Sequence, residues 1–369
     1  MSDTLTKDLT GATPAARTKQ PVVDCDIHPA YRSPDEMASY LPLRWQRHVA
    51  DFGLHSPSPL IGALPYPRLA HGMRQDSYPP VGGPPASDLE FLQEQLLDPL
   101  NITHGILQPL SGGHGVLNHA LGEALCAGTN DWQVERWMDR DPRLKGSIAV
   151  MQEDAPAALR EIEARAKDKR FVQISVTPRT AEPAGHRRYW PIYEAAEALG
   201  LPISLHSAAF GARANTGAGW TSFYIEEHFA FSHAAQHTLV SLIFSGVFDA
   251  FPKLKVVLVE GGFAWLPPTV WRMEREFDRY RGEVPDLKRR PAEYVRDHIW
   301  LTTQPVEEPT RSSQLSDLID WVGVDRLLFS TDYPHWDFDH PDFAFRVPLP
   351  PEDRAKLMHD NAVSVFGLT

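Results

Sequence analysis

A chain of 369 residues, 42% hydrophobic and 23% charged, has the composition of a globular protein large enough to bury a substantial core. Its 48 acidic against 36 basic side chains give a formal charge of −12, which works against nucleic acid or an anionic membrane as partner and leaves a small molecule as the expected substrate. Two cysteines, Cys25 and Cys126, are too few for a disulfide framework, lie in no zinc-type spacing and fit a reducing cytoplasm.

Residues 1–20 are polar and lack an apolar signal core, so they read as a disordered tail ahead of one domain spanning 21–369. Eight short apolar runs rich in β-branched residues follow, at 21–27, 103–109, 145–151, 171–176, 202–206, 255–260, 298–303 and 327–331. Strands buried on both faces read as continuous apolar runs of this kind. Helical patterning fills intervening segments at 155–169, 187–200, 265–280 and 313–323. The alternation predicts an α/β fold, a parallel (β/α)8 TIM barrel, whose chemistry gathers at the C-terminal ends of the strands. A doubly wound sheet would want a glycine-rich phosphate loop after the first strand, and CDIHPAYRS is not one.

Two regions exceed a bare barrel. Residues 52–88 carry Pro and Gly clusters and form a long insertion after strand 1, a candidate lid. The segment 208–239 after the fifth strand is glycine-rich before it turns helical. Specificity is expected to reside in the insertion and in residues 208–224. The longest apolar stretch, from Leu239 to Phe251, is interrupted by Ser245, Gly246 and Asp249 and falls short of the roughly 20 residues that span a bilayer, so no membrane segment is expected.

Asp26 and His28 flank one residue at the end of the first strand, which points both side chains the same way and lets them chelate one ion. His206 ends the fifth run and Asp332 follows the eighth, so a barrel brings all four to one point. Oxygen and nitrogen donors suit a divalent ion, zinc first, with manganese or iron(II) as alternatives. Arg179, just past the fourth strand, has the chemistry to clamp a substrate carboxylate. His335 lies close enough to the eighth strand end to reach substrate, or packs as a loop histidine on Trp336. His228, His233 and His237 fall on one expected helix, the last two one turn apart, which suits a solvated or packed pair more than a second metal. The aromatic residues Trp190, Tyr193, Trp265 and Trp271 read as packing, and residues 272–283 as a solvated helix face.

VDCDIHP at the first strand, YWPIYEAAEALGLPISLHS into the fifth, SLIFSGVFDAFPKLKVVLVEGG into the sixth and LLFSTDYPH at the eighth together resemble the amidohydrolase superfamily. The resemblance is to the branch of aminocarboxymuconate semialdehyde decarboxylase and the resorcylate and dihydroxybenzoate decarboxylases. It implies that Asp26, His28, His206 and Asp332 are metal ligands, with Asp26 standing where the usual first histidine would be. FVQISVTPR offers no lysine to bridge two metals, so one ion is expected; a second involving Glu260 is the lesser alternative. Glu260 takes the place of a histidine that acts in the decarboxylases, and is expected either as a general base or ligand, or as an anchor for the amides of Gly261 and Gly262. The implied activity is metal-dependent hydrolysis or decarboxylation of a small carboxylated or cyclic compound, with Asp332, Glu260 and His335 moving protons. The alternatives are a non-haem iron oxygenase, or a weakly catalytic subunit supporting a paralogue in a hetero-oligomer. Barrels of this branch self-associate, so a homodimer is expected, through the apolar helices from Phe229 to Phe251.

Overall fold

All eight apolar runs form strands: β1 Val22–Ile27, β2 Ile102–Leu107, β3 Leu144–Ala149, β4 Phe171–Val176, β5 Ile203–His206, β6 Val256–Val259, β7 Ile299–Thr302 and β8 Leu327–Leu328. The computed structural model describes residues 19–53, 72–110, 112–206, 213–217 and 219–369. The strands are parallel and each pairs with the next in sequence, in the order β1 to β8. The seam is closed by individual bonds: the Cys25 amide donates to the Phe329 carbonyl at 3.0 Å and the His28 amide to the Tyr333 carbonyl at 2.9 Å. The eighth run was expected to be longer than it is. Phe329 to Thr331 leave the ladder because the Phe329 amide donates to the Leu357 carbonyl and the Thr331 amide to the Asp24 carboxylate.

Helices surround the barrel: α1 Leu43–Phe52, α2 His119–Gln133, α3 Ala155–Arg165, α4 Trp190–Leu199, α5 Tyr224–Phe244, α6 Leu266–Tyr280, α7 Pro291–His298, α8 Ser312–Val322 and α9 Asn361–Phe366. Four of them match the patterned segments. α3 stops short of 169 because Asp168 turns the chain: its amide donates to the Arg165 carbonyl and its carboxylate accepts from the Arg170 amide. Val23, Cys25, Ile106, Val172, Val257 and Leu328, drawn from five strands, pack into one apolar cluster with Val365 and Phe366 of α9. Burial of this kind contributes about 25 cal/mol per Å2 of apolar surface removed from water, and here it leaves the polar strand ends at the opposite rim for the site.

The apolar residues expected to form a subunit contact serve mainly as core. Leu239, Leu242, Ile243, Val247 and Phe248 are buried, whereas Phe229 is exposed, as are Phe223 and Ile225 before it. Of the four aromatic residues read as packing, Trp190, Tyr193 and Trp265 are packed, while Trp271 is largely exposed and meets Trp321 edge to face. Among the described residues no helix is long and apolar enough to cross a membrane. The expected tail, apart from residues 19 and 20, lies outside the described residues, as do 54–71 of the insertion and 208–212 and 218 of the loop after β5. The returning end of the insertion is stitched to the loop after β8. The Arg74 amide donates to the Pro334 carbonyl at 2.9 Å, and the Trp336 amide donates to the Gly72 carbonyl at 2.7 Å.

Candidate metal centre

Four strand ends deliver one polar cluster. Asp26 and His28 come from β1, where its register with β2 shifts between Asp24 and Ile27, the kind of irregularity that re-aims side chains beside active sites. His206 is the last residue of β5 and lies in register with Val259 of β6. Glu260 and Asp332 follow β6 and β8, and both adopt left-handed backbone conformations, with φ of 53° and 60°. A non-glycine residue pays about 1–3 kcal/mol for that conformation, which persists only where the surroundings enforce it. At β6 the enforcement is visible: the Glu260 amide donates to Thr302 Oγ1 at 3.0 Å, and Glu307 accepts from the amides of Phe263 and Ala264 at 3.1 and 2.9 Å. Glu307 thus holds the two amides that follow Gly261 and Gly262, and the Glu260 carboxylate joins the cluster.

The donor atoms converge in two overlapping groups: Asp26, His28, His206 and Glu260; and His28, Glu260, Asp332 and His335. His206 Nε2 lies 3.4 Å from Asp26 Oδ1 and 3.2 Å from Glu260 Oε2. His28 Nε2 lies 3.3 Å from Asp26 Oδ1 and 2.7 Å from Asp332 Oδ1. His335 Nδ1 is 2.6 Å from Asp332 Oδ1. Among the expected ligands, Asp332 thus stands with His28 and His335, not in the same tight group as Asp26 and His206. The His28 ring is fixed by its Nδ1–H, which donates to the Gln108 carbonyl at 2.9 Å and leaves the Nε2 lone pair facing the carboxylates. The two groups share His28 and Glu260 and so form one continuous cluster.

Burial sets the electrostatics. It drives the His28 and His206 imidazoles down to about 3, so both are neutral donors. It raises Asp26 to about 6, opposed by His28, and holds Glu260 and Asp332 well above the carboxylate range, reinforced by neighbouring carboxylates. Both oxygens of Asp26, both nitrogens of His206, Glu260 Oε2 and Asp332 Oδ2 are buried without a hydrogen-bond partner among the described residues. Buried polar atoms rarely go unpaired. Three carboxylates and neutral imidazoles clustered together fit a divalent cation, to which each residue would offer one donor atom.

Other expected residues fall differently. His335 is buried, its ring 4.7 Å from that of His28, so it belongs to the cluster while Trp336 is half exposed. The Arg179 guanidinium is buried and pairs with α5, where Nη2 donates to Glu227 Oε1 at 2.6 Å, and its charge also acts on Glu260 of the cluster. Glu227 also accepts from Asn215 Nδ2 at 3.0 Å and Thr221 Oγ1 at 2.8 Å. The geometry thus gives Arg179 a buried ion pair with Glu227. A cavity of about 830 Å3 beside it is lined by Arg213, Trp220, His233 and His237 and by none of the cluster residues. His228 Nε2 pairs with Asp337 Oδ2 at 2.9 Å, and Gln304 Nε2 donates to the same oxygen at 2.7 Å. No second metal group involving these three histidines occurs among the described residues. Gln108, Glu307, Asp337 and Gln304 carried no sequence signal, since each acts through a partner far away in the chain.

A family model described as amidohydrolase matches residues 23–368. Over 252 residues the chain is 31% identical to a gamma-resorcylate decarboxylase from Polaromonas sp. strain JS666, an alignment covering 65% of this chain and 75% of that protein. The fold is similar to that of a dihydroxybenzoic acid decarboxylase of the same organism, solved with bound manganese and the inhibitor 2-nitroresorcinol, at 22% identity and a TM-score of 0.63, covering 95% of this chain and 97% of that one. It is likewise similar to an amidohydrolase from Mycobacterium avium subsp. paratuberculosis K-10, at 21% identity and a TM-score of 0.70, covering 95% and 100% of the two chains.

Proposed function

This chain belongs to the amidohydrolase family as a metal-dependent enzyme, and from that premise we propose that it is a non-oxidative decarboxylase of a small hydroxylated aromatic carboxylate. The observation that carries the reading is the convergence of Asp26, His28, His206, Glu260 and Asp332 with their buried oxygen and nitrogen atoms unpartnered. The choice of reaction follows the resorcylate decarboxylase to which the chain is similar.

When bound, a divalent ion supplies a Lewis acid that neutralises the acidic cluster and holds anionic substrate oxygens. Zinc suits mixed imidazole and carboxylate donors; manganese is the alternative that three carboxylates accommodate. Decarboxylation replaces a carbon–carboxylate bond by a carbon–hydrogen bond, so ArCOO− and H+ become ArH and CO2. The chain must therefore hold a proton beside the ring carbon. Asp332 is the group placed for this: its Oδ1 meets His28 and His335 at 2.7 and 2.6 Å, which leaves Oδ2 to face the ring carbon. His335 Nδ1, 2.6 Å from Asp332 Oδ1, is placed to return the proton after each turnover. Glu260 and Gln108 orient the two histidines, by contact with His206 and through the His28 tautomer.

Purified protein supplied with zinc or manganese, incubated without oxygen with resorcylate and other hydroxybenzoates, is expected to release one CO2 per arene formed. Oxygen consumption that depends on substrate and iron would replace this reading with the oxygenase, and hydrolysis of a cyclic ester or amide without CO2 would replace it with a hydrolase.

A further inference from the structure

Asp24 is fully buried, two residues before Asp26, at the start of the register shift in β1. Its Oδ1 accepts from the Thr331 amide at 2.9 Å and from the Asp26 amide at 3.2 Å, and its Oδ2 accepts from the Thr331 hydroxyl. Thr331 Oγ1 in turn accepts from the Tyr333 amide at 3.2 Å. Among the described residues no Lys, Arg or His forms an ion pair with Asp24. A buried carboxylate without a cation is costly, and its hydrogen bonds tie it to two places: the backbone of Asp26 and the residue before Asp332.

The tie falls where the barrel is least held by a ladder. β8 is two residues long, and the β1 seam rests on separate bonds on either side of Thr331. Thr331 and Tyr333 flank Asp332, whose left-handed backbone needs enforcement.

We propose that Asp24 is a positioning residue for the metal centre: by stapling Thr331 to β1 it holds the turn at Asp332 and fixes the spacing between the Asp332 carboxylate and the Asp26–His28 pair. This rests on the reading that those residues hold a divalent ion. Asp24 touches neither ion nor substrate. It acts through Thr331.

The test measures Mn2+ binding by competition, and the visible spectrum of the Co2+ form, in wild type, Asp24→Ala, Thr331→Val and Thr331→Ser, with circular dichroism to establish folding. Asp24→Ala and Thr331→Val are each expected to weaken Mn2+ by about 10- to 100-fold, the range for groups that orient metal ligands, and to alter the Co2+ spectrum. Thr331→Ser, which keeps the hydroxyl, is expected to restore both. The Thr331 pair carries the test if Asp24→Ala does not fold. Unchanged Mn2+ affinity and Co2+ spectrum in folded Asp24→Ala or Thr331→Val, with only a lower melting temperature, would overturn the proposal and leave the metal reading intact. Failure of wild type to bind Mn2+, Co2+ or Zn2+ would remove the metal reading itself.

Discussion

Two buried polar regions lie at the C-terminal rim of this barrel, and they differ in whether carboxylate charge is matched by a cationic side chain. Around Glu227, both carboxylate oxygens are occupied by Arg179, Asn215 and Thr221, and charge is matched within the protein. Around His28, three carboxylates and neutral imidazoles face each other with several atoms unpartnered. The first arrangement pairs its carboxylate with a guanidinium and holds β4 to α5. The second is complete only with a cation, so buried polarity marks function where it converges and remains unmet.

The contrast is broken most severely by removing a ligand. His28→Ala should raise the dissociation constant for the divalent ion by more than about 100-fold, since losing a ligand costs more than losing a group that orients one, and should abolish turnover. Metal analysis after dialysis, beside the activity assay, checks this. Retained stoichiometric metal would show that the two regions are alike.

Next comes the satisfied region. Arg179→Leu should cost about 3–5 kcal/mol of stability by leaving Glu227 buried and uncompensated, and much of it should return in the Arg179→Leu/Glu227→Met pair. Denaturant unfolding measures both. A raised KM for substrate without loss of stability would restore Arg179 to the carboxylate-clamp role and weaken the distinction.

His335→Gln keeps a polar group next to Asp332 but cannot relay a proton, so kcat should fall by about 100-fold with metal content unchanged. Lost metal would instead make His335 a ligand.

The smallest effect is a pH dependence. Asp26, raised to about 6, and the higher-shifted Glu260 and Asp332 bind protons in the folded metal-free protein that the unfolded chain has released. Below about 6.5 the His28 and His206 imidazoles, neutral in the fold and protonated in the unfolded chain, oppose this, so metal-free protein should lose stability as pH rises above about 6.5, while added Mn2+ replaces the protons and reverses the trend. Melting temperatures with and without Mn2+ should diverge upward in pH. Parallel curves would mean that the acidic cluster is not where the ion binds.

The strands were legible because each is mainly apolar, as burial on both faces demands. β8 was overread, because the bonds that shorten it come from Leu357 and Asp24, neither of which leaves a local signature. Asp26, His28, His206 and Asp332 were legible as polar residues closing apolar runs. Glu260 was ambiguous because the groups its carboxylate meets, His28 and His206, lie far away in the chain. Arg179 looked like a substrate clamp because its sequence neighbourhood is a strand end. Its partner Glu227 lies on α5, beyond the fifth strand, where no spacing rule reaches.

The central claim is tested most directly by anomalous diffraction at the absorption edges of zinc, manganese and iron from crystals of the purified protein. The account predicts one peak at the point shared by Asp26, His28, His206, Glu260 and Asp332, and none in the cavity beside Arg179. A protein that decarboxylates hydroxybenzoates with no peak among those residues, or with its ion held elsewhere, would contradict it.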